Sequence, residues 1–392
     1  MKTLKVGIIG TGAAGIAATK ALHASDADVE VELFTRTGEQ PSNRTLVNKG
    51  VAIGLLEPHQ AALPDAGVEP TADTVRGIDP RTREVRLDSG ERRAFDALVI
   101  ASGSRPRILD EEIIGRDQAV RAGRLTTLHS MADGVRVRDR LARASPARVL
   151  ILGGGLVASE TASLLTDAGH DTALIARSLV PGASSIGVPA ARWLLDLHQQ
   201  QHGAYLGRSP RMIRTHSDRV AVILDDGTRV EGDLAIVAHG TAPTAPAPWT
   251  GPEGMPVDSH LRSLHGPDQR IYAAGGVAVH HYPGHSAYRI DHWDDSTAQG
   301  AHAAQALLHD LGMAADPRTY LPVSTFSVRI HGHTLIGAGH PALGTITRIV
   351  STDPLLVAHH LDQVPVALTG IDATRLVHEY LPELHAQVAA RR

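Results

Sequence analysis

An α/β chain with two Rossmann-like dinucleotide-binding domains and a small α+β C-terminal domain is predicted by three observations. A strand, a glycine-rich turn and a helical pattern follow one another twice. The two turns open at Gly10 and Gly153, about one domain's length apart. The strand-like segments after each turn then recur in the same order. At 392 residues the chain also exceeds what one hydrophobic core usually supports.

Each element has a local reason. Leu4 to Ile9 is an apolar strand, Gly10-Thr11-Gly12-Ala13-Ala14-Gly15 the turn, and Ile16 to His23 carries apolar residues at helical spacing. Ala147 to Leu152, Gly153-Gly154-Gly155-Leu156-Val157-Ala158 and Ser159 to Ala168 repeat the arrangement, with Gly169 closing the helix. Val29 to Phe34 and Asp171 to Ile175 complete a βαβ opening in both places. Glu84 to Leu87 and Ala94 to Ile100 read as strands around turns at Asp79-Pro80 and Ser89-Gly90. Arg219 to Val230 reads as a hairpin turning at Asp226-Gly227, followed by a buried strand from Asp233 to Ala238. The Pro-rich Thr241 to Pro248 reads as a linker, and the region from Asp316 as short strands closed by a helix from Asp372 to Arg392.

Composition narrows the chemistry. With 38 Lys and Arg against 42 Asp and Glu the net charge is −4, so no basic face for nucleic acid is expected. The absence of cysteine excludes disulfide scaffolds, thiol nucleophiles, iron–sulfur ligation and dithiol relays. Any redox chemistry therefore needs a bound cofactor. The apolar run from Met1 to Ile9 is too short for a signal peptide, and no apolar stretch is long enough to span a membrane. A cytoplasmic location is the expectation. Glycines in such turns permit a tight bend and a close approach of backbone to pyrophosphate, whose charge then sits at a helix N-terminus.

Further segments, in order, resemble one family. Arg44-Thr45-Leu46-Val47-Asn48-Lys49 is similar to its Arg-x-x-Leu-Ser-Lys segment, with Val47 at the Leu position. Leu98 through Pro106, containing Ala101-Ser102-Gly103, resembles the Ala-Thr-Gly strand of its FAD domain. Ala235 through Pro243, containing His239-Gly240, resembles the exit from its nicotinamide domain. Ile271 through Ala278 resembles the second FAD fingerprint, and Arg289 through Gly300 the segment beside the flavin. The family is that of flavoprotein NAD(P)H reductases with two dinucleotide-binding domains, especially the ferredoxin, rubredoxin and putidaredoxin reductases and the apoptosis-inducing-factor-like proteins. The resemblance covers roughly residues 1–312.

It implies the glutathione-reductase-like arrangement: an FAD-binding domain over 1–112 and 246–313, an NAD(P)-binding domain over 113–245, and a C-terminal domain over 314–392. It also implies hydride transfer from nicotinamide C4 to flavin N5. FAD contacts are expected from Gly10, Gly12, Ala13, Ala14, Gly15, Thr35, Arg36, Arg44, Lys49, Ala101, Ser102, Gly103, Gly275, Gly276 and Trp293. Nicotinamide-dinucleotide contacts are expected from Gly153, Gly155, Leu156, Val157, Glu160, Arg177, Ser178, His239 and Gly240. Lys49 and Glu160 are the pair expected near flavin N5, with Trp293 covering the ring and His292 supplying a proton.

The chain departs from the family's pattern at informative places. Thr35, followed by Arg36, stands where an acid normally holds the adenosine ribose. Gly276 stands where a Gly-Asp dipeptide places an aspartate. In the second fold Arg177 and Ser178 replace the acid that an NADH ribose wants; a guanidinium suits a 2′-phosphate, so NADPH is favoured, with NAD as the alternative. The Tyr320 to Ser327 segment keeps Phe326 and Ser327 but lacks the Trp and Asp that face the acceptor in those reductases. His280, His281, His285 and His292 cluster in sequence, and His198 and His202 share helical spacing without a third ligand. No metal site is expected. Three functions remain open: an FAD-dependent reductase serving a small iron–sulfur acceptor, a flavoenzyme acting on a small organic substrate, and a non-catalytic descendant. A homodimer is an allowed assembly.

Overall fold

The computed structural model describes residues 3–36, 41–201, 203–265, 270–281, 287–322 and 324–390. Two parallel five-stranded sheets carry the two glycine turns. In the first, the strand Leu4–Ile9 lies at the centre, flanked by Ala97–Ile100 and Ile271–Ala273 on one side and by Val29–Thr35 and Thr71–Ala72 on the other. In the second, Arg148–Leu152 is central, with Asp171–Ala176 and Gly203–Leu206 on one side and Leu234–Val237 and Leu125–Thr127 on the other. The turn in each case leaves the strand where the direction of strand order reverses. That is the place where open parallel sheets bind ligands.

These strands read as unbroken apolar runs because both faces are covered. Val6 and Ile8 are fully buried, as are Val149, Leu150, Ile151 and Leu152. The helices Ala13–His23 and Trp293–Asp310 pack together so closely that a methyl at Gly300 would run into the Ala14 carbonyl. Both turn helices start earlier than the periodicity predicts, at Ala13 and Leu156. The last part of each glycine motif thus forms the first helical turn itself.

Thr241–Pro243, expected to be a linker, is a short strand paired antiparallel with Ser104–Pro106. Its prolines cost nothing there, because a two-stranded ribbon leaves one edge of each strand unpaired. The C-terminal region is an antiparallel sheet of Thr325–Ile330, His333–Gly339, Val364–Ile371, Leu355–Leu361 and Ile346–Thr352, closed by the helix Thr374–Ala390. It shares a core with the second sheet's unit, where Ile186, Ala190 and Leu194 pack with Ile330, Leu335 and Ile371. No described helix is long and apolar enough to cross a membrane.

Candidate functional site

The first cradle is set by Gly10, whose φ of +117° is open to glycine and whose missing side chain would strike the Ala101 carbonyl. Its N–H donates to Phe34 O at 2.9 Å, so the turn is pinned between two strands. Gly15 is excluded from any larger residue by the Gly10 carbonyl, whereas nothing lies within 4 Å of the side-chain direction of Gly12. The second cradle repeats this: a methyl at Gly153 would strike the Ala238 carbonyl, and Gly155 faces open space. In both, the helix that follows carries no acidic residue in its first turn, so its free N–H groups keep their positive potential. Ala13 and Ala14, and Leu156 and Val157, form those first turns.

Of the residues expected at the first cradle, Thr35, Ala101 and Gly275 lie directly against it. Thr35 ends its strand with its hydroxyl 3.3 Å from that of Thr11, so two hydroxyls occupy the position of the customary acid. Arg36 follows it and is exposed. Arg44 places Nη1 2.8 Å from His129 Nε2 and 3.4 Å from the Ser104 carbonyl. Burial, and then the Arg44 charge, hold His129 below its ordinary value, which leaves a neutral ring able to accept from the guanidinium. Ser102 donates to Thr244 O at 2.5 Å, and Gly103 O accepts from Thr244 N, which fastens the loop to the ribbon.

Lys49 lies in a five-residue π-helical turn, Val47–Val51, a form found mostly at functional sites. Its Nζ is 3.3 Å from Glu160 Oε1, and Asn48 Nδ2 donates to Glu160 Oε2 at 2.8 Å. The Glu160 side chain is 9 % exposed, so its charge is met by two partners from one turn. His292 occupies the N-cap position of the helix that begins at Trp293, without a side-chain capping bond. Burial lowers its pKa, and the Lys49 charge acts in the same direction, while its ring lies 5.9 Å from that of Phe326. Trp293 is half-buried in the first turn of that helix.

The loop at Gly275 and Gly276 is fixed from below. Gly275 N donates to Gln299 Oε1 at 2.7 Å, Gln299 Nε2 donates to Asp295 Oδ2 at 2.5 Å, and Tyr320 Oη donates to Asp295 Oδ1 at 2.7 Å. Burial raises the Asp295 carboxyl above its usual range, and these two hydrogen bonds offset that only in part. Asp291 accepts from Ser104 Oγ at 2.6 Å and from the Thr241 hydroxyl. Burial opposes ionisation of Asp291, but those hydroxyls and the charge of Arg289 outweigh it and hold the pKa below the ordinary carboxylate value.

At the second cradle, Arg177 and Ser178 leave the strand Asp171–Ala176 at its carboxyl end and are exposed. Ser178 Oγ is committed to its own turn, donating to Val180 O at 2.8 Å. Burial and then the Arg177 charge lower the pKa of His239. Gly240 follows, with its carbonyl accepting from Arg107 N at 2.9 Å.

The sequence reading missed Asn48, Asp291, Ser104, Thr241, His129 and the Tyr320–Asp295–Gln299 chain. Adjacency to Lys49 is the only sequence signal for Asn48, and within Arg289 to Gly300 nothing in the sequence singles out Asp291. Of the clustered histidines, His280 is fully buried and stacks on Tyr288 at 4.8 Å, with burial pushing it down to about 3. His285 lies outside the described residues, as does His202. His198 meets His331 instead, Nδ1 to Nε2 at 3.1 Å. Among the described residues no group of three or more His, Asp or Glu side chains is arranged to hold a metal ion.

Two units that each present a glycine cradle at the switch point of a parallel sheet define a two-dinucleotide oxidoreductase. The pyridine nucleotide-disulphide oxidoreductase family model matches residues 4–300, and the chain belongs to that family. It is an enzyme of the oxidoreductase class. The ferredoxin–NAD(+) reductase component of an anthranilate 1,2-dioxygenase system from Burkholderia cepacia is 28% identical over 366 residues, 87% of this chain and 86% of that one. Putidaredoxin reductase, solved as a covalent complex with putidaredoxin, superposes with a TM-score of 0.86 at 20% identity, covering 99% of this chain and 94% of that one. An engineered water-forming NADPH oxidase bound to NADPH superposes with a TM-score of 0.80 at 19% identity, covering 98% and 91%. It was made by substitution in a water-forming NADH oxidase from Lactobacillus brevis.

Proposed function

We propose that the chain is an FAD-dependent NADPH reductase that delivers electrons to a small iron–sulfur protein of the ferredoxin kind. The unit of 1–112 with 246–313 holds FAD, the unit of 113–245 inserted into it holds NADPH, and 314–392 forms the third domain. The residues present fit two dinucleotides: Gly12 and Gly155 each open onto free space at a helix N-terminus, where a side chain would obstruct a pyrophosphate. The relatives that match most of the chain include a ferredoxin–NAD(+) reductase component, and the disulphide chemistry from which the family takes its name is closed to a chain without cysteine.

FAD held at the first cradle would supply the hydride acceptor for the nicotinamide and the one-electron donor for the iron–sulfur partner. The protein's residues supply the rest. Lys49 and Glu160 form a charge pair at the helix of the second cradle, burial and the Lys49 charge keep the His292 ring neutral, and the Gly275 loop is tied down by Gln299.

The preference for NADPH is carried by one tripeptide. The engineered oxidase acquired Ala-Arg-Ser in place of Asp-Ala-Met, and an alanine in place of glycine eighteen positions earlier. This chain reads Ala176-Arg177-Ser178, with Ala158 at the same interval before Ala176. The fifth substitution, Pro to Arg, falls by the same spacing on Ala183 and has no counterpart. Losing the acid removes repulsion of a 2′-phosphate, and the guanidinium supplies a bidentate partner. The test is a visible spectrum of the purified chain reconstituted with FAD, then mixed with NADPH or NADH. Flavin bands that bleach faster with NADPH, followed by ferredoxin-dependent cytochrome reduction, are expected. Protein that stays colourless after reconstitution overturns the proposal.

A further inference from the structure

The loop Gly275-Gly276 leaves the strand Ile271–Ala273 at the carboxyl edge of the first sheet and touches the first cradle. A methyl at Gly275 would lie 3.1 Å from Ala14 Cβ, in the first turn of the cradle's helix. One residue on, the space where a side chain at Gly276 would begin is filled by the carboxylate of Asp291, with its Cγ at 2.9 Å. Gly276 has no positive φ, so its backbone would accept a side chain. The three atoms nearest to that space all belong to Asp291. A carboxylate rooted at 276 and the carboxylate of Asp291 are therefore alternatives for one place.

Asp291 is brought there by three segments that converge on the cradle. Ser104 and Thr241 come from the two paired strands of the ribbon, and Arg289 bridges Gly276 O at 2.8 Å and Asp291 Oδ2 at 3.4 Å. Two of those partners are hydroxyls, and the Asp291 side chain keeps 29 % of its surface exposed. A charged acceptor surrounded by hydroxyl donors, half open beside a pyrophosphate cradle, has the chemistry to take a polyol chain.

We propose that Asp291 is the acid that receives the ribityl hydroxyls of FAD, a carboxylate supplied through space from the segment before the helix Trp293–Asp310, to which Gly276 yields its room. This rests on the reading that the first cradle holds FAD. A purely structural Asp291, bracing the ribbon through Ser104 and Thr241, would affect all ligands of the cradle alike. ADP carries the pyrophosphate and adenosine but no ribityl chain, so it separates the two roles.

The experiment measures FAD and ADP binding to apoprotein by fluorescence and calorimetric titration, with melting temperatures recorded in parallel. Asp291→Asn should weaken FAD by about ten- to a hundredfold, the loss expected of hydrogen bonds to a charged group, and leave ADP within about twofold. Gly276→Asp alone should weaken FAD through collision and like charge. Gly276→Asp combined with Asp291→Gly should recover most of the affinity. The inference is overturned if Asp291→Asn leaves FAD unchanged, if FAD and ADP weaken together, or if the double variant binds no better than the single ones. Wild-type chain that binds ADP but no FAD overturns both this inference and the reading beneath it.

Discussion

The two cradles share their first and second glycines and differ at the third, where one has Gly15 and the other Ala158. At Gly15 a methyl would strike the Gly10 carbonyl, while Ala158 carries its methyl fully buried in a core with Val149 and Leu165. The first helix is squeezed from both sides, by its own turn and by the helix Trp293–Asp310 across Gly300. The second helix keeps room for one more carbon at this position, where Ala158 is accommodated in its core. The third glycine of such a motif therefore reports helix packing, and the second reports the ligand.

The comparison breaks first on stability. Gly15→Ala should cost at least about 3 kcal/mol, because backbone rather than a flexible side chain must give way. Ala158→Gly should cost about 1 kcal/mol, mostly helix propensity. Urea unfolding of both variants decides it, and equal losses would refute the packing account.

Next come the second glycines, whose substitution should spare the fold. Gly12→Val should lower FAD affinity by about a hundredfold while leaving NADPH binding within about twofold, and Gly155→Val the reverse, since each faces open space at its own helix N-terminus. Cross-effects of similar size at both sites would show that the cradles do not act separately. The strand ends beyond the cradles give a smaller contrast. Arg177→Glu should reduce the ratio of kcat/KM for NADPH over NADH by about tenfold or more. An unchanged ratio would leave the 2′-phosphate without its partner.

What the sequence made legible is what lies close along the chain. The glycine spacings, the strand before each and the Arg177-Ser178 end are local, and each stands where expected. The Pro-rich Thr241 to Pro248 misled because proline argues against a central strand and says nothing of a ribbon edge, where Thr241–Pro243 pairs. The rest of the site is assembled across long separations. Ser104 reaches Asp291 over 187 positions, Asn48 reaches Glu160 over 112, and Arg44 reaches His129 over 85. No periodicity or spacing encodes such pairs. Gly276 reads as a lost acid because the carboxylate that occupies its side-chain space, that of Asp291, stands at a different position in the sequence.

The units also differ in what supports them. The second cradle's unit shares a core with the C-terminal sheet, and a methyl at Gly187 would strike the buried ring of His359. Burial, reinforced by the charge of His360, pushes His359 down to about 4, so it stays neutral in the fold while the unfolded chain takes up a proton nearer pH 6.5. The folded value is the lower one. Stability from this residue is therefore complete above about pH 6.5 and drains away as the pH falls toward 4. By pH 5.5 the loss should be about 1 kcal/mol. His359→Gln can keep contact with Thr347 and Thr369 without titrating, so its melting temperature should fall less steeply between pH 6.5 and 4 than that of the wild type. Parallel curves for the two proteins would assign the acid sensitivity to other groups and leave the second unit's support independent of pH at this contact.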